Sequence, residues 1–218
     1  MAVDIHQLLP QPFVWCDIPA GDVTLTDLGG YLKAITTFTI PTFSVSHDLI
    51  TPAQYAVFMT HPIGYANLEW WQFSDEAMLW RTQNTEPIID PKQPYMKDVT
   101  WYDAIAFCRW ISSLTGEIIT LPTDQQWEHL SKYDDLGCYV WGVYDDSLMM
   151  YEDVISEWCL NTYETGSTDL QGNIDRLIRL GYWHDSDQAR FRVRMRVKCS
   201  PALRGLSRGF RLVCNGLR

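Results

Sequence analysis

The stretch DVTWYDAIAFCRWISSLTGEIITLPTDQQWEHL, Asp98 to Leu130, holds two helix starts, one helix stop and one short strand. Thr100 is placed to cap the first helix, Asp103 falls in its first turn near the positive end of the helix dipole, and Gly116 supplies the stop. The apolar stripe of this helix is Trp101, Ile105, Cys108 and Ile111. The strand EIITLP follows, and Thr123 with Gln126 forms a capping box that opens the second helix. Little helix, short strands and much irregular chain predict an α+β protein.

Outward from that stretch the signals keep alternating. Upstream, AITTFTIPTFSVS (Ala34 to Ser46) predicts two short strands separated by Pro41. TPAQYAVFMTH predicts a helix with Thr51 as cap, Pro52 at the first position, and Tyr55, Phe58 and Met59 on one face. Downstream, Gly137 to Gly181 reads mostly as loop, with Trp141, Trp158 and Trp183 as packing anchors. Period two then returns: Phe191, Val193, Met195 and Val197 alternate with Arg190, Arg192, Arg194 and Arg196. GFRLVC (Gly209 to Cys214) reads as the partner of that strand or a closing strand.

The totals point to one domain: 218 residues, 46% hydrophobic, 13% aromatic, with ten tryptophans spread along the chain. The first residues lack a basic start, and Pro10 and Pro12 interrupt their apolar run, which predicts cytoplasmic synthesis without a signal peptide. No window approaches the roughly 18 apolar residues of a membrane span, so no membrane insertion is expected. The six cysteines are scattered with no CxxC pair, which predicts buried, reduced thiols rather than zinc ligands.

Charge is distributed unevenly. From Arg176 onward lie 11 of the 17 Lys and Arg residues but only 2 of the 27 acids, Asp185 and Asp187, so the tail is near +9 and the rest near −19. Two readings of the arginine ladder follow: neutralisation by acids of the same chain, or phosphate binding. The overall charge of −10 repels a polyanion, which argues against a nucleic-acid partner. Glu157, beside Trp158, reads as a cap or metal ligand or, in preference, as a buried partner for one of the arginines.

The segments IPAG, ITPAQYAVF, VTWYDAIAFCRWISSLTG, ITLPTDQQWEHL, YVWG, SEWC, RLIRLGYW and RGFRLV occur in an order that resembles the formylglycine-generating-enzyme or sulfatase-modifying-factor family. The resemblance runs from Phe13 to Val213. It implies a C-type-lectin-like fold with two main helices, a small twisted antiparallel sheet and extensive loops. It also implies an N-terminal extension over 1–12 and a single domain over 13–218. Oxidase members of the family hold copper with a close pair of cysteines. The corresponding stretch here, GYWHDSDQARFRVR (181–194), contains none, and Cys199 and Cys214 do not restore the pair. The five histidines are isolated from one another. No catalytic residue, metal ligand or cofactor is therefore assigned. Asp145, Asp146, Glu152 and Asp153 offer oxygen atoms in the segment where relatives bind calcium, without an EF-hand-like spacing.

A subset of the family serves as variable proteins of diversity-generating retroelements, and the end of this chain resembles theirs. Arg192, Arg196, Pro201, Arg204 and Gly209 to Arg211 form a frame within a variable region over 179–211. The interspersed residues Tyr182, His184, Asp185, Ser186, Asp187, Val197, Lys198, Cys199, Ser200, Leu203, Gly205, Leu206 and Ser207 then face a ligand. The resemblance implies a receptor for an unknown protein or cell-surface ligand. The competing implication is a divergent metal-dependent oxidase or hydroxylase.

Overall fold

The computed structural model describes residues 2–133, 142–145, 156–185, 190–205 and 208–215; for 142–145, 181–185 and 190–194 it describes the backbone. The helix of the opening stretch is α4, Trp101–Thr115. Thr100 accepts from the Asp103 N–H, Asp103 accepts from the Thr100 N–H, and Gly116 closes the helix in the left-handed region at φ 74°. The same reciprocal cap opens α2 (Pro52–Thr60) at Thr51 and α5 (Asp124–Leu130) at Thr123. Two further helices are α1 (Ile5–Leu8) and α3 (Asp75–Gln83), and a 3-10 turn covers Leu68–Trp71.

The expected stripe on α4 is too narrow. Tyr102, Asp103, Ala104, Ala106, Phe107 and Trp110 are buried as well, because α2, the 3-10 turn and strand β5 (Ile119–Thr120) all pack around the helix. A helix covered on several sides needs apolar residues all round. Ile5 and Leu9 join the same core, so the first residues pack as part of the domain.

Pro41 separates β3 (Thr36–Ile40) from β4 (Phe43–Ser46), and each strand goes to a different sheet. Among the described residues β3 pairs with β2 (Gly21–Leu25) alone, whereas β4 lies between β1 (Trp15–Ile18) and β11 (Val213–Asn215), with β5 beyond. The third sheet holds β6 (Gly142–Asp145), β7 (Ser156–Thr162), β8 (Arg176–Asp185), β9 (Arg190–Cys199) and β10 (Arg208–Gly209). Gly209 to Cys214 is thus not one strand, and it does not pair with the arginine strand. It splits into β10, parallel to β7, and β11, because the intervening Phe210, Arg211 and Leu212 turn into the interior.

Two indoles tie α4 to β7. Trp101 Nε1 donates to the Cys159 carbonyl and Trp158 Nε1 to the Val99 carbonyl, both at 3.0 Å. Across β8 the alternation is plain: Ile178 enters the core around α4, and Leu177 enters a second core with Trp127 and Leu130 of α5. Cys108, Cys159, Cys199 and Cys214 are free and buried. Cys16 is disulfide-bonded, which corrects the expectation of reduced thiols throughout.

Candidate ligand-binding surface

The frame of this surface is the β8–β9 hairpin, paired over ten positions from Arg176 opposite Cys199 to Asp185 opposite Arg190. β8 is the central strand. Its first half pairs with β7, and Tyr182 to Asp185 pair with β6 in parallel register. Such a ladder is rigid, because both edges of β8 are hydrogen-bonded.

The arginines explain the unequal charge. Arg179 and Arg196 face each other in the ladder, and their side chains are each 1% exposed. Asp124, fully buried at the first position of α5, accepts from Arg179 Nε at 2.6 Å and from Arg196 Nε at 2.8 Å. Tyr31 donates its hydroxyl to the same carboxylate at 2.5 Å, and Glu128 adds an ion pair to Arg179 at 3.2 Å. Burial opposes the charge on Arg179, but Asp124 and Glu128 outweigh it and raise its pKa. Burial, reinforced by Asp124, pushes the Tyr31 hydroxyl far above its ordinary range, so it stays a donor. Arg196 Nη1 also donates to the carbonyls of Asp27 and Gly29.

A second pair lies one strand over, where Glu157 of β7 stands opposite Arg179. Arg211, fully buried, meets Glu157 through two bonds of 2.5 and 2.9 Å, and its third nitrogen reaches the carbonyls of Ser46 and His47. Glu157 is therefore a buried arginine partner, as its place beside Trp158 predicts. Arg176 is solved differently. Its guanidinium lies 3.7 Å from the centroid of the Trp101 ring and donates to the carbonyls of Leu160, Asp169 and Gln171. Burial pulls its pKa down to about 10.

The interspersed residues fall into separate places. Tyr182 stands between Gly142 and Val193, His184 between Tyr144 and Phe191, and Asp185 between Asp145 and Arg190. Lys198 pairs with Leu177 at the other end, five ladder positions from Tyr182, or about 17 Å at roughly 3.3 Å per residue. Its ammonium is exposed and bonded to Glu164 at 3.1 Å and Asp175 at 3.3 Å. Leu203 is 50% exposed, and Ser200 and Gly205 are half-buried. Cys199 is a correction. It is 5% exposed and packs in the core around α4, on the face of β9 that also carries the half-buried Val197. Ser186, Asp187, Leu206 and Ser207 lie outside the described residues, as do Trp141 and the side chain of Trp183. Asp146, Glu152, Asp153 and the side chain of Asp145 likewise fall outside.

The sequence reading missed Asp124, Tyr31 and Asp27. Asp124 was legible as the acid of a helix start whose next turn carries Trp127, a position that is buried once the helix docks. Tyr31 and Asp27 gave no local signal, since their partners lie more than ninety residues away.

Burial pushes the Cys199 thiol upward, and 181–194 carries no cysteine, so the copper pair of the oxidase members does not fit this hairpin. Among the described residues no group of three His, Cys, Asp or Glu side chains converges as a metal site.

The sequence profile of the sulfatase-modifying factor enzyme 1-like domain matches residues 13–153, more than half of the chain. The protein belongs to this family. Solved structures with the same chain path cover nearly all of this family member. Treponema denticola variable protein 1 superposes with a TM-score of 0.58 at 18% identity, over 94% of this chain and 95% of that one. PvdO from Pseudomonas aeruginosa gives 0.56 at 14%, over 92% and 93%, and CarF gives 0.53 at 14%, over 93% and 98%. No curated protein matches the sequence. The α+β, C-type-lectin-like fold is thus shared, and at these identities the likeness carries the fold alone. No helix among the described residues is long and apolar enough to cross a membrane.

Proposed function

We propose that this family member is a non-enzymatic, receptor-type protein that binds an unknown protein or cell-surface ligand. It displays the interspersed residues of 179–211 on a fixed frame, in the manner of a retroelement variable protein. The observation that carries this reading is the fate of the frame. Arg196, Pro201, Gly209, Phe210 and Arg211 are all buried, and Arg204 is half-buried over Trp80, whereas Lys198 and Leu203 between them face solvent. Exchange at the exposed positions leaves the interior ion pairs untouched, which is the physical condition for a diversified surface. Likeness in fold to a variable protein supports the same reading.

The test is sequencing of this gene across a population of its source cells, together with the neighbouring DNA. Substitutions concentrated at the codons for Tyr182, His184, Asp185, Lys198, Leu203 and Gly205, with Arg179, Arg196 and Arg211 constant, are expected. A near-copy of the 181–211 codons, differing at adenines and adjoining a reverse-transcriptase gene, is expected as well. Uniform codons with no such copy refute the diversified receptor. Stoichiometric copper or iron in the purified protein favours the oxidase or hydroxylase instead.

A further inference from the structure

A cleft of about 210 Å³ lies between the start of α2 and the segment 88–98, and no residue of the β8–β9 hairpin lines it. Pro52, Ile88, Tyr95 and Met96 give it an apolar wall, and Asp90 and Asp98 give it two carboxylates. The volume is below that of a pocket for a drug-sized molecule, and it suits a single long side chain.

Three features of the cleft select its occupant. Ile88 is 78% exposed, the largest exposure among the described large hydrophobic residues, so an apolar surface is held in water at the rim. The carboxylate of Asp90 is already engaged, by the Lys92 N–H at 3.0 Å and the Gln93 side-chain amide at 3.1 Å. The carboxylate of Asp98 is different: among the described residues it has no hydrogen-bonded or ion-paired partner. Asp98 also has a φ of 61°, the one positive value for a non-glycine residue among those described, so its backbone is held in an uncommon conformation beside the cleft. Lys97, the one cation lining the cleft, is drawn over the Tyr95 ring, 5.1 Å from its centroid.

We propose that this cleft receives a lysine or arginine side chain from a protein partner, its aliphatic stem against Ile88 and its charged head on Asp98. A basic side chain has the required shape, with an apolar stem and a cationic tip. The wider field agrees, since the chain as a whole carries a net charge of −10, which favours the approach of basic segments. The inference is independent of the receptor reading of the 179–211 surface.

N-acetyl-arginine amide and N-acetyl-lysine amide are the probes, titrated into the full chain and followed by amide chemical shifts. Shifts confined to 88–98 and the start of α2, with millimolar affinity, are expected from at least one of them. N-acetyl-norleucine amide, with a similar stem and no charge, is expected to bind at least tenfold more weakly. Asp98→Asn is expected to cost about the same factor. Asparagine tolerates the left-handed region, so that variant keeps the backbone. Ile88→Ser changes a side chain that is mostly in water, and it is expected to weaken both probes without moving the thermal midpoint. No shifts at 50-fold the expected dissociation constant, equal binding of the norleucine amide, or full binding by Asp98→Asn would each overturn the proposal. Alanine at Tyr182, His184 and Asp185 is expected to leave the probe titration unchanged, which separates this site from the C-terminal surface.

Discussion

Arg179 and Arg196 stand directly opposite each other in the β8–β9 ladder, and one carboxylate, Asp124, takes the Nε of both. Like charges at opposed positions destabilise a sheet unless something between them is negative. Asp124 reaches that place because Thr123 caps α5 and sets its first residue against the sheet, while the Asp124 N–H is held by Asn161 Oδ1 at 2.7 Å. The excess of arginine in the tail is therefore, for these side chains, an internal matter of packing.

The first prediction concerns that carboxylate. Asp124→Asn leaves two buried guanidinium groups short of a charge and is expected to lower unfolding free energy by about 3–5 kcal/mol. Replacing all three groups together, Asp124→Leu with Arg179→Met and Arg196→Met, is expected to recover much of that loss. Urea unfolding of both variants checks this, and a triple variant weaker than Asp124→Asn refutes the assignment.

For Arg211 and Glu157 a double-mutant cycle is the sharper measurement. Glu157→Gln and Arg211→Met each strand a buried partner, so each is expected to cost about 3–5 kcal/mol. The double variant is expected to cost less than the sum by about 0.5–3 kcal/mol. Additive losses refute a direct pair.

Arg176→Lys tests the carbonyl-and-indole solution. Lysine keeps the charge but not the planar face that lies on Trp101, nor the fork that reaches Leu160, Asp169 and Gln171. A loss of about 1–3 kcal/mol is expected from thermal unfolding. Unchanged stability refutes the role given to the ring.

Much of this architecture was legible in the sequence. The three capping boxes at Thr51, Thr100 and Thr123, and the stop at Gly116, rest on neighbours within four residues and were readable from spacing alone. α3 carried a readable start as well, with Ser74 as cap and Asp75 and Glu76 in the first turn, yet it was not anticipated. What the sequence hid is long-range. Which strand receives Gly209 to Cys214, and which acid meets Arg196, depend on contacts between distant segments that no local period encodes. The candidate ligand residues were readable only as gaps in a frame, and alternation on β9 then removes Cys199 from them.

Asp103 provides a pH signature. It is fully buried, and burial raises its pKa above the ordinary carboxylate value, although Thr100, Arg204 and Tyr65 act the other way. Above pH 3.8 the unfolded chain gives up this proton first, so the folded state holds more protons and the contribution of Asp103 to stability falls as pH rises. Asp103→Asn, which keeps an acceptor for the cap, is expected to make the stability profile rise more steeply, or fall less, between pH 4 and the folded pKa. Urea midpoints across that range check it; parallel profiles for the two proteins refute it.

The last prediction compares two glycines in the left-handed region. Gly116 has φ 74°, and a Cβ there meets only the Ala2 Cβ at 3.7 Å, so Gly116→Ala is expected to cost about 1–2 kcal/mol for conformation alone. Gly30 has φ 55°, but a Cβ there falls 2.1 Å from the Tyr163 carbonyl oxygen, a backbone atom that cannot step aside. That carbonyl accepts from the Tyr31 N–H, and the neighbouring Gly29 carbonyl accepts from Arg196. Gly30→Ala therefore displaces Tyr31 and the Gly29 carbonyl from the Asp124 network in addition to straining the turn. It is expected to cost clearly more than Gly116→Ala, and the excess is expected to shrink to the cost of the Tyr163 backbone clash in the background where Asp124, Arg179 and Arg196 have been replaced together. An equal penalty for the two glycines, or an excess undiminished in that background, separates the turn from the arginine pair and refutes the link between them.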